Sequence, residues 1–421
     1  MRPAVCLLLG LCCGGTPADG ASLRAGAAVV EITPPIGVPL WGYASRHDAP
    51  SVGVLDPLFA RAVVLEIGQQ RIALVSLDLG RPPTRASVAA IREKAREANV
   101  AHLLLVASHT HHGPVIELDH WPTPQNSYVR QLERKLGDVI LQAARSLRPA
   151  RLGCTSAATT LNRNRHSRRP DAPVDRELLV LRLEGPDGKP IAHAVNFAAH
   201  PTTMDRTIRQ FSADFPGAMA RLVERDTGVP CLFLQGAAGD LSPNQAEHAG
   251  PKAFGEALGR EVLRLLPRIR CPSDDPPSVQ IREEERVFRS RVDLTNPFTR
   301  AALSAAFFPD LIAFYEREYR EGIRTRLTTA LVNGRIGLVG VSGEFFCGHS
   351  LSLKRRARLD HVLFLGYCND FQQYFPTIEA AAQGGYGAVP PMAIAELGAG
   401  EQIIDRALIE LYRMQGKFPA D

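Results

Sequence analysis

The chain has 421 residues, 45% of them hydrophobic and 22% charged, a balance that excludes fibrous and wholly disordered architectures. Its net charge of +5 is the small difference between 49 basic and 44 acidic residues, and no basic tract exceeds Lys354-Arg355-Arg356. That pattern describes a solvated surface and excludes a nucleic-acid footprint. At roughly 150 residues per domain the length suits one large α/β unit with insertions, or two to three domains.

The N-terminus reads as a leader. Arg2 precedes a compact apolar run, Ala4 to Cys13, followed by Gly-, Pro- and Ala-rich sequence to about Ser22. The run is shorter than the ~20 residues a spanning helix needs. It predicts a signal peptide over residues 1–22, with small residues at Ala18 to Ala21 for cleavage, and an exported protein (secreted, periplasmic or cell-surface). Leu11 before Cys12 is a poor lipoprotein context. Beyond the leader stand Cys154, Cys231, Cys271, Cys347 and Cys368. They include no Cys-x-x-Cys pair, which excludes a zinc ribbon. One or two bridges would leave at least one thiol free. Cys231, within the apolar run Val229 to Leu234, reads as a buried structural residue.

Strand and helix patterns then alternate along the chain. Strands are predicted at Val29 to Ile32, at Ala60 to Ile67 and Arg71 to Leu77 across a Gly68-Gln69-Gln70 turn, at Leu103 to Ala107, Leu178 to Leu183, Ala192 to Phe197 and Cys231 to Leu234. Helical periodicity marks Ala86 to Asn99, Tyr128 to Leu147, Pro216 to Arg225 and Ala253 to Leu266. Cys271 to Ser278 is linker-like. After it come a polar strand near Val279 to Val292, a helical insertion around Asp310 to Glu321, and a hairpin from Leu327 to Val341. A helix from Phe346, a strand at Val362 to Leu365 and a terminal helix from Ala393 to Met414 complete the chain. The alternation predicts an α/β fold, a mixed-sheet core with flanking helices.

Polar residues cluster where apolar strands end, the places at which α/β folds set ligands and chemistry. Ser108-His109-Thr110-His111-His112 follows the strand ending at Ala107. If that strand continued, His109 and His111 would share a face, and neutral imidazole is a common zinc ligand. His200 in Ala199-His200-Pro201 ends another strand. Gly236 to Asn244 holds Asp240 and Ser242 among small residues that let backbone approach closely. No Gly-x-Ser-x-Gly elbow surrounds Ser242. Glu344 ends the hairpin and opens a helix; two histidines and a glutamate make a frequent catalytic zinc set. Tyr374 and Tyr386 lie in glycine-bearing loops further on.

These residues match a known family. The opening segment Ala25-Gly26 through Thr33-Pro34-Pro35 to Trp41-Gly42-Tyr43, then Val75 to Gly80, Ser108-His109-Thr110-His111, Ala199 to Met204, Phe211 to Gly217 and Gly239-Asp240-Leu241-Ser242-Pro243-Asn244 occur in the family's order. The chain resembles the N-terminal catalytic domain of the neutral/alkaline non-lysosomal ceramidases. The resemblance implies a zinc ion held by His109, His200, Glu344 and Tyr374, with His111 as an acid/base group beside it. It implies catalytic roles for Ser242, Tyr386 and Arg163, the last in Leu161-Asn162-Arg163, and substrate contact by Arg163 and Asp240. Zinc-dependent hydrolysis of the N-acyl amide of ceramide or a related N-acyl lipid follows, with peripheral membrane contact by the enzyme. A smaller N-acyl substrate, or an exported metal-containing lipid- or glycan-binding protein without turnover, are the alternatives. A two-metal phosphoesterase built on Asp78, His109 and Asp240 would need more carboxylates than these motifs offer. The sequence after the terminal helix leaves no run of strands for the immunoglobulin-like domain of the full-length family. A single catalytic domain over residues 23–421 is therefore expected.

Overall fold

The computed structural model describes residues 22–272, 277–304 and 307–418. The leader expected over residues 1–22 lies outside them except for Ser22, as does the middle of the linker-like stretch.

Three mixed sheets carry the architecture. The first runs in the order His102–Ala107, Gln70–Leu77, Phe59–Ile67, Leu23–Glu31 and a two-residue edge, Arg148–Pro149. The second runs Cys231–Gln235, Pro190–Phe197, Glu177–Glu184, Arg151–Ala158, and the third Val279–Phe288, Ile323–Val332, Ile336–Val341, His361–Leu365. Each is antiparallel except at one edge, where His102–Ala107, Cys231–Gln235 and His361–Leu365 each lie parallel to their neighbour.

The two-residue period of a strand explains how the sheets pack. Leu104 and Val106, Leu232 and Leu234, and Leu363 and Leu365 face one shared apolar interior. The alternate residues of the same strands face outward into three separate helix-covered cores. Leu103 and Leu105 meet the helices Arg85–Ala95 and Tyr128–Arg145. Phe233 meets Asp214–Thr227 and Gly250–Leu265, and Phe364 meets Cys347–Ala357 and Ala399–Met414. Apolar on both faces, these strands read in sequence as unbroken hydrophobic runs.

Buried amides join the sheets. Asn196 Nδ2 donates to Leu234 O at 2.8 Å and to Phe364 O at 3.0 Å. Asn369 accepts from Leu105 N at 2.9 Å and donates to Leu103 O at 2.7 Å. These bonds lock the parallel edges together, so their carboxyl ends open on one point.

Some elements differ from the sequence reading. The first strand spans Leu23–Glu31 rather than starting at Val29. The strand Arg151–Ala158 was not anticipated, because Gly153 to Ala158 lacks apolar alternation. The terminal helix starts at Ala399, not Ala393. Gly398 at φ 80° breaks it, and the residues before form bonds with the segment at 290, including Arg291 N to Ile394 O at 2.7 Å. The five described cysteines are free thiols, so the bridges left open above are not formed by them.

Because Asn196 satisfies two buried carbonyls of different sheets, Asn196→Ala is expected to lower unfolding stability by about 2–3 kcal/mol. Urea titration of both proteins checks this; an unchanged midpoint would show that the sheets do not depend on this junction.

Candidate metal centre

Each parallel strand pair delivers a side chain to the same place. The first delivers His109, the second His200, the third Glu344. The strand before His109 ends at Ala107, as expected. Ser108 N and His109 N bond to Leu77 O and Leu79 O at 2.8 and 2.9 Å, and His109 adopts φ 69°. The condition for a shared strand face is therefore not met: a turn, not pleating, brings His109 and His111 together.

The rings are fixed from behind. His109 Nδ1 lies 2.7 Å from Gly80 O, and His200 Nδ1 lies 2.7 Å from Ala238 O. A carbonyl oxygen only accepts, so each Nδ1 carries the hydrogen and each Nε2 keeps its lone pair. Both Nε2 atoms point at one carboxylate oxygen: Glu344 Oε2 is 3.3 Å from His109 Nε2 and 3.0 Å from His200 Nε2. His111 Nε2 lies 3.4 Å from His109 Nε2, and the ligand atoms of the three histidines all fall within 4.8 Å of one another. His111 Nδ1 is buried without a hydrogen-bond partner. Electron-pair donors this close, with the Nδ1 atoms of His109 and His200 already committed, fit a shared cation.

The electrostatics agree. Burial, then Arg165, lowers His200 to about 3, so it stays a neutral ligand. Burial and the two neighbouring imidazoles keep His111 far below its ordinary value. Tyr374, paired with Glu344 as strand neighbours, stacks on the His200 ring at 6.4 Å. Burial and the Glu344 charge push its hydroxyl well up.

Close backbone approach needs glycine here. A side chain at Gly42, φ 108°, would meet the His111 ring at 2.6 Å, and one at Gly239 would meet Glu344 O at 2.6 Å.

Of the residues singled out in sequence, His109, His111, His200, Glu344 and Tyr374 are brought together. Tyr386 sits at the rim, 66% exposed, its ring 5.7 Å from Tyr374. Arg163 is not brought in. It is exposed on the short strand Asn162–Asn164, opposite Ser242 in antiparallel register. Arg165 takes the place: its Nη2 donates to Tyr374 Oη at 3.0 Å and Gly239 O at 3.0 Å and lies 2.8 Å from His200 Nε2. Its own N–H bonds to Asp240 O at 2.8 Å, which turns the chain inward just after the strand. The run Arg163-Asn164-Arg165 contained the signal, but nothing local chooses between two arginines of one face. Asp240 lies buried with Oδ1 accepting from Cys347 N at 2.6 Å at the start of a helix, and with Oδ2 accepting from Asn164 Nδ2 at 3.1 Å. Ser242 is half-buried on Leu241–Pro243. Asp78 is committed elsewhere, paired with buried Arg61 at 3.1 Å and accepting from Phe59 N at 2.9 Å, which removes it from a two-metal site.

Comparison with known proteins follows the same line. The family profile "Neutral/alkaline non-lysosomal ceramidase, N-terminal" matches residues 23–253. The chain belongs to this family. Neutral ceramidase B of Dictyostelium discoideum is 27% identical over 258 residues, which is 53% of this chain and 36% of that protein. Neutral ceramidase of Pseudomonas aeruginosa is 29% identical over 268 residues, 57% of this chain and 39% of that protein. The matched stretch thus spans well under half of each relative. The crystal structure of the Pseudomonas aeruginosa neutral ceramidase superposes with a TM-score of 0.76 at 19% identity, over 96% of this chain and 76% of that one. A ceramidase complexed with C2 gives 0.75 at 18%, over 95% and 76%. The chain has the ceramidase fold.

His112 beside this centre supplies a pH test. Burial, then the Arg46 guanidinium, lowers it to about 3, and Arg46 Nη2 lies 2.6 Å from His112 Nε2. The folded value lies below the unfolded one, so below pH ~6.5 the unfolded chain binds a proton that the folded chain refuses. This contribution is complete above pH ~6.5 and is lost as pH falls towards 3, at about 1.4 kcal/mol per pH unit. His112→Gln is expected to flatten the decline of stability between pH 6 and pH 4 by about that slope. Urea midpoints across that interval measure it; parallel declines would refute the neutral, Arg46-bonded imidazole.

Proposed function

We propose that the protein is a zinc-dependent amide hydrolase of the ceramidase type, cleaving the N-acyl amide of ceramide or a related N-acyl amine to a carboxylic acid and an amine. The observation that carries this reading is the meeting of three electron-pair donors, His109 Nε2, His200 Nε2 and Glu344 Oε2, within 3.0–3.3 Å, beside a guanidinium. His109, His200, Glu344 and Tyr374 would hold the ion. Zinc, when bound, supplies Lewis-acid polarisation of the carbonyl and a more acidic water.

The chain's own groups do the rest. The Arg165 guanidinium and the Tyr386 hydroxyl would donate to the oxygen that gains charge as the amide carbon becomes tetrahedral. His111, half-buried beside His109, would take a proton from water and return it to the departing amine. Water is the favoured nucleophile over Ser242, because Ser242 sits half-buried on a strand facing Arg163. Among the described residues no helix is long and apolar enough to cross a membrane, and access to a lipid substrate would call for peripheral contact. Export rests on the apolar run of the N-terminus, outside the described residues.

Purified protein incubated with ceramide should release fatty acid, measured by mass spectrometry, and lose that activity to a chelator. His109→Ala should drop zinc, by elemental analysis, at least about tenfold while keeping the far-UV spectrum of the parent. Arg165→Met should retain zinc and lose about 10²–10³ in kcat. Full turnover by a zinc-free His109→Ala protein would end the metal assignment.

A further inference from the structure

His111 is held differently from its neighbours. The Nδ1 atoms of His109 and His200 are each tied to a backbone carbonyl, whereas His111 Nδ1 is buried without a hydrogen-bond partner. His111 lines the cleft beside the metal centre, together with Trp41 and Tyr43. The Tyr43 ring stands 4.7 Å from the imidazole and the Trp41 ring 5.8 Å, both edge-on. Gly42 between them passes so close to the imidazole that no side chain fits there. A ring without that hydrogen bond takes its orientation from packing and from the backbone beneath it.

That backbone is fixed by Arg46, three residues after Tyr43. Arg46 is 5% exposed, yet no carboxylate among the described residues forms an ion pair with it. Buried charges are ordinarily paired. The guanidinium instead donates from Nη1 to His111 O at 2.5 Å and from Nε to Arg206 O at 2.8 Å, and Nη2 lies 2.6 Å from His112 Nε2. The face of the Tyr43 ring covers it at 4.7 Å. Burial lowers Arg46 only to about 10, so it stays cationic near neutral pH. A planar fork of donors reaches three acceptors at once, and the single ammonium of a lysine does not. The segment is itself anchored, by Trp41 N to Gly113 O at 2.8 Å and by Arg46 N to Tyr43 O at 3.0 Å.

We propose that Arg46 is the positioning residue for His111: it holds the His111 carbonyl while Tyr43 and Trp41 hold the ring, and together they keep the imidazole aimed into the cleft. Arg46 itself does not line the cleft, so it acts through His111 and is not a catalytic residue. The proposal rests on the amide-hydrolase reading, in which His111 moves the proton.

The test is a double-mutant cycle on zinc-loaded protein with ceramide as substrate. Arg46→Met is expected to lower kcat about 10²-fold, as a misplacement of about 1 Å does, with KM changed less than about threefold and zinc retained. In a His111→Gln background the same substitution should cost less than about threefold, because the group it positions is gone. Arg46→Lys should not restore the rate. An equal loss in both backgrounds, or full kcat in Arg46→Met, would overturn the proposal. If Arg46→Met fails to fold, Tyr43→Leu enters the same cycle, and Tyr43→Phe, which keeps the ring, should recover most of its loss. Histidine side-chain NMR gives a readout without turnover, with the His111 signal assigned from the His111→Gln protein. In Arg46→Met the signals of His111 and His112 should move or broaden while that of His200 stays. An unmoved His111 signal would overturn the proposal whatever the rates. If the parent protein cleaves no amide and the His111 signal still moves, the positioning stands and the amide-hydrolase reading falls.

Discussion

Three lone pairs that would repel one another are held face to face in the interior. His109 Nε2, His200 Nε2 and Glu344 Oε2 are buried and lie 3.0–3.3 Å apart across the carboxylate. Neither imidazole can turn away, because each Nδ1–H is anchored to a backbone carbonyl at 2.7 Å. Such an arrangement is stable in a folded chain only when positive charge is shared among the donors, and a divalent cation supplies it best. Arg165, 2.8 Å from His200 Nε2, supplies part of that charge from the protein itself.

The three-sheet architecture follows from this requirement. One sheet offers its polar residues at the end of one strand pair; three sheets that share an apolar interior bring three such ends to a point. Asn196 and Asn369 cross-link the strands just before their polar ends, so the centre is supported by buried hydrogen bonds and does not depend on long loops. Backbone strain collects at the same point: His109, Tyr367 and Gln373 all have φ between 53° and 69°. Residues in the left-handed region each cost of the order of 1–3 kcal/mol and survive where surrounding packing over-determines them.

The pocket is shaped by a different logic from the centre. The cleft beside it has aromatic and aliphatic walls and also, at Glu117, a carboxylate paired with buried Arg81 at 3.4 Å. Glu117 was not recognisable as a pocket residue from sequence, where it stands between Ile116 and Leu118 as an ordinary surface acid. Only the meeting of Trp41, Arg81 and Tyr315 around it, residues distant in sequence, gives it that part.

Much of the secondary structure was legible because its signals are local. The runs Leu103 to Ala107, Cys231 to Leu234 and Val362 to Leu365 are apolar at every position, as strands buried on both faces must be, and the helices between them carry their 3.6-residue stripe. The polar residue types at the ends of those runs, His109, His200 and Glu344, were legible for the same reason. What failed locally was what lacks a period: the small-residue strand Arg151–Ala158, and the start of the last helix, which Gly398 decides. The sequence by itself therefore determined the elements, their order and which side chains stand at strand ends. The tertiary structure alone decided that these ends converge and that Arg165 and not Arg163 turns inward. Periodicity is written between residues a few positions apart, whereas distances across the centre depend on how three sheets settle on one shared core.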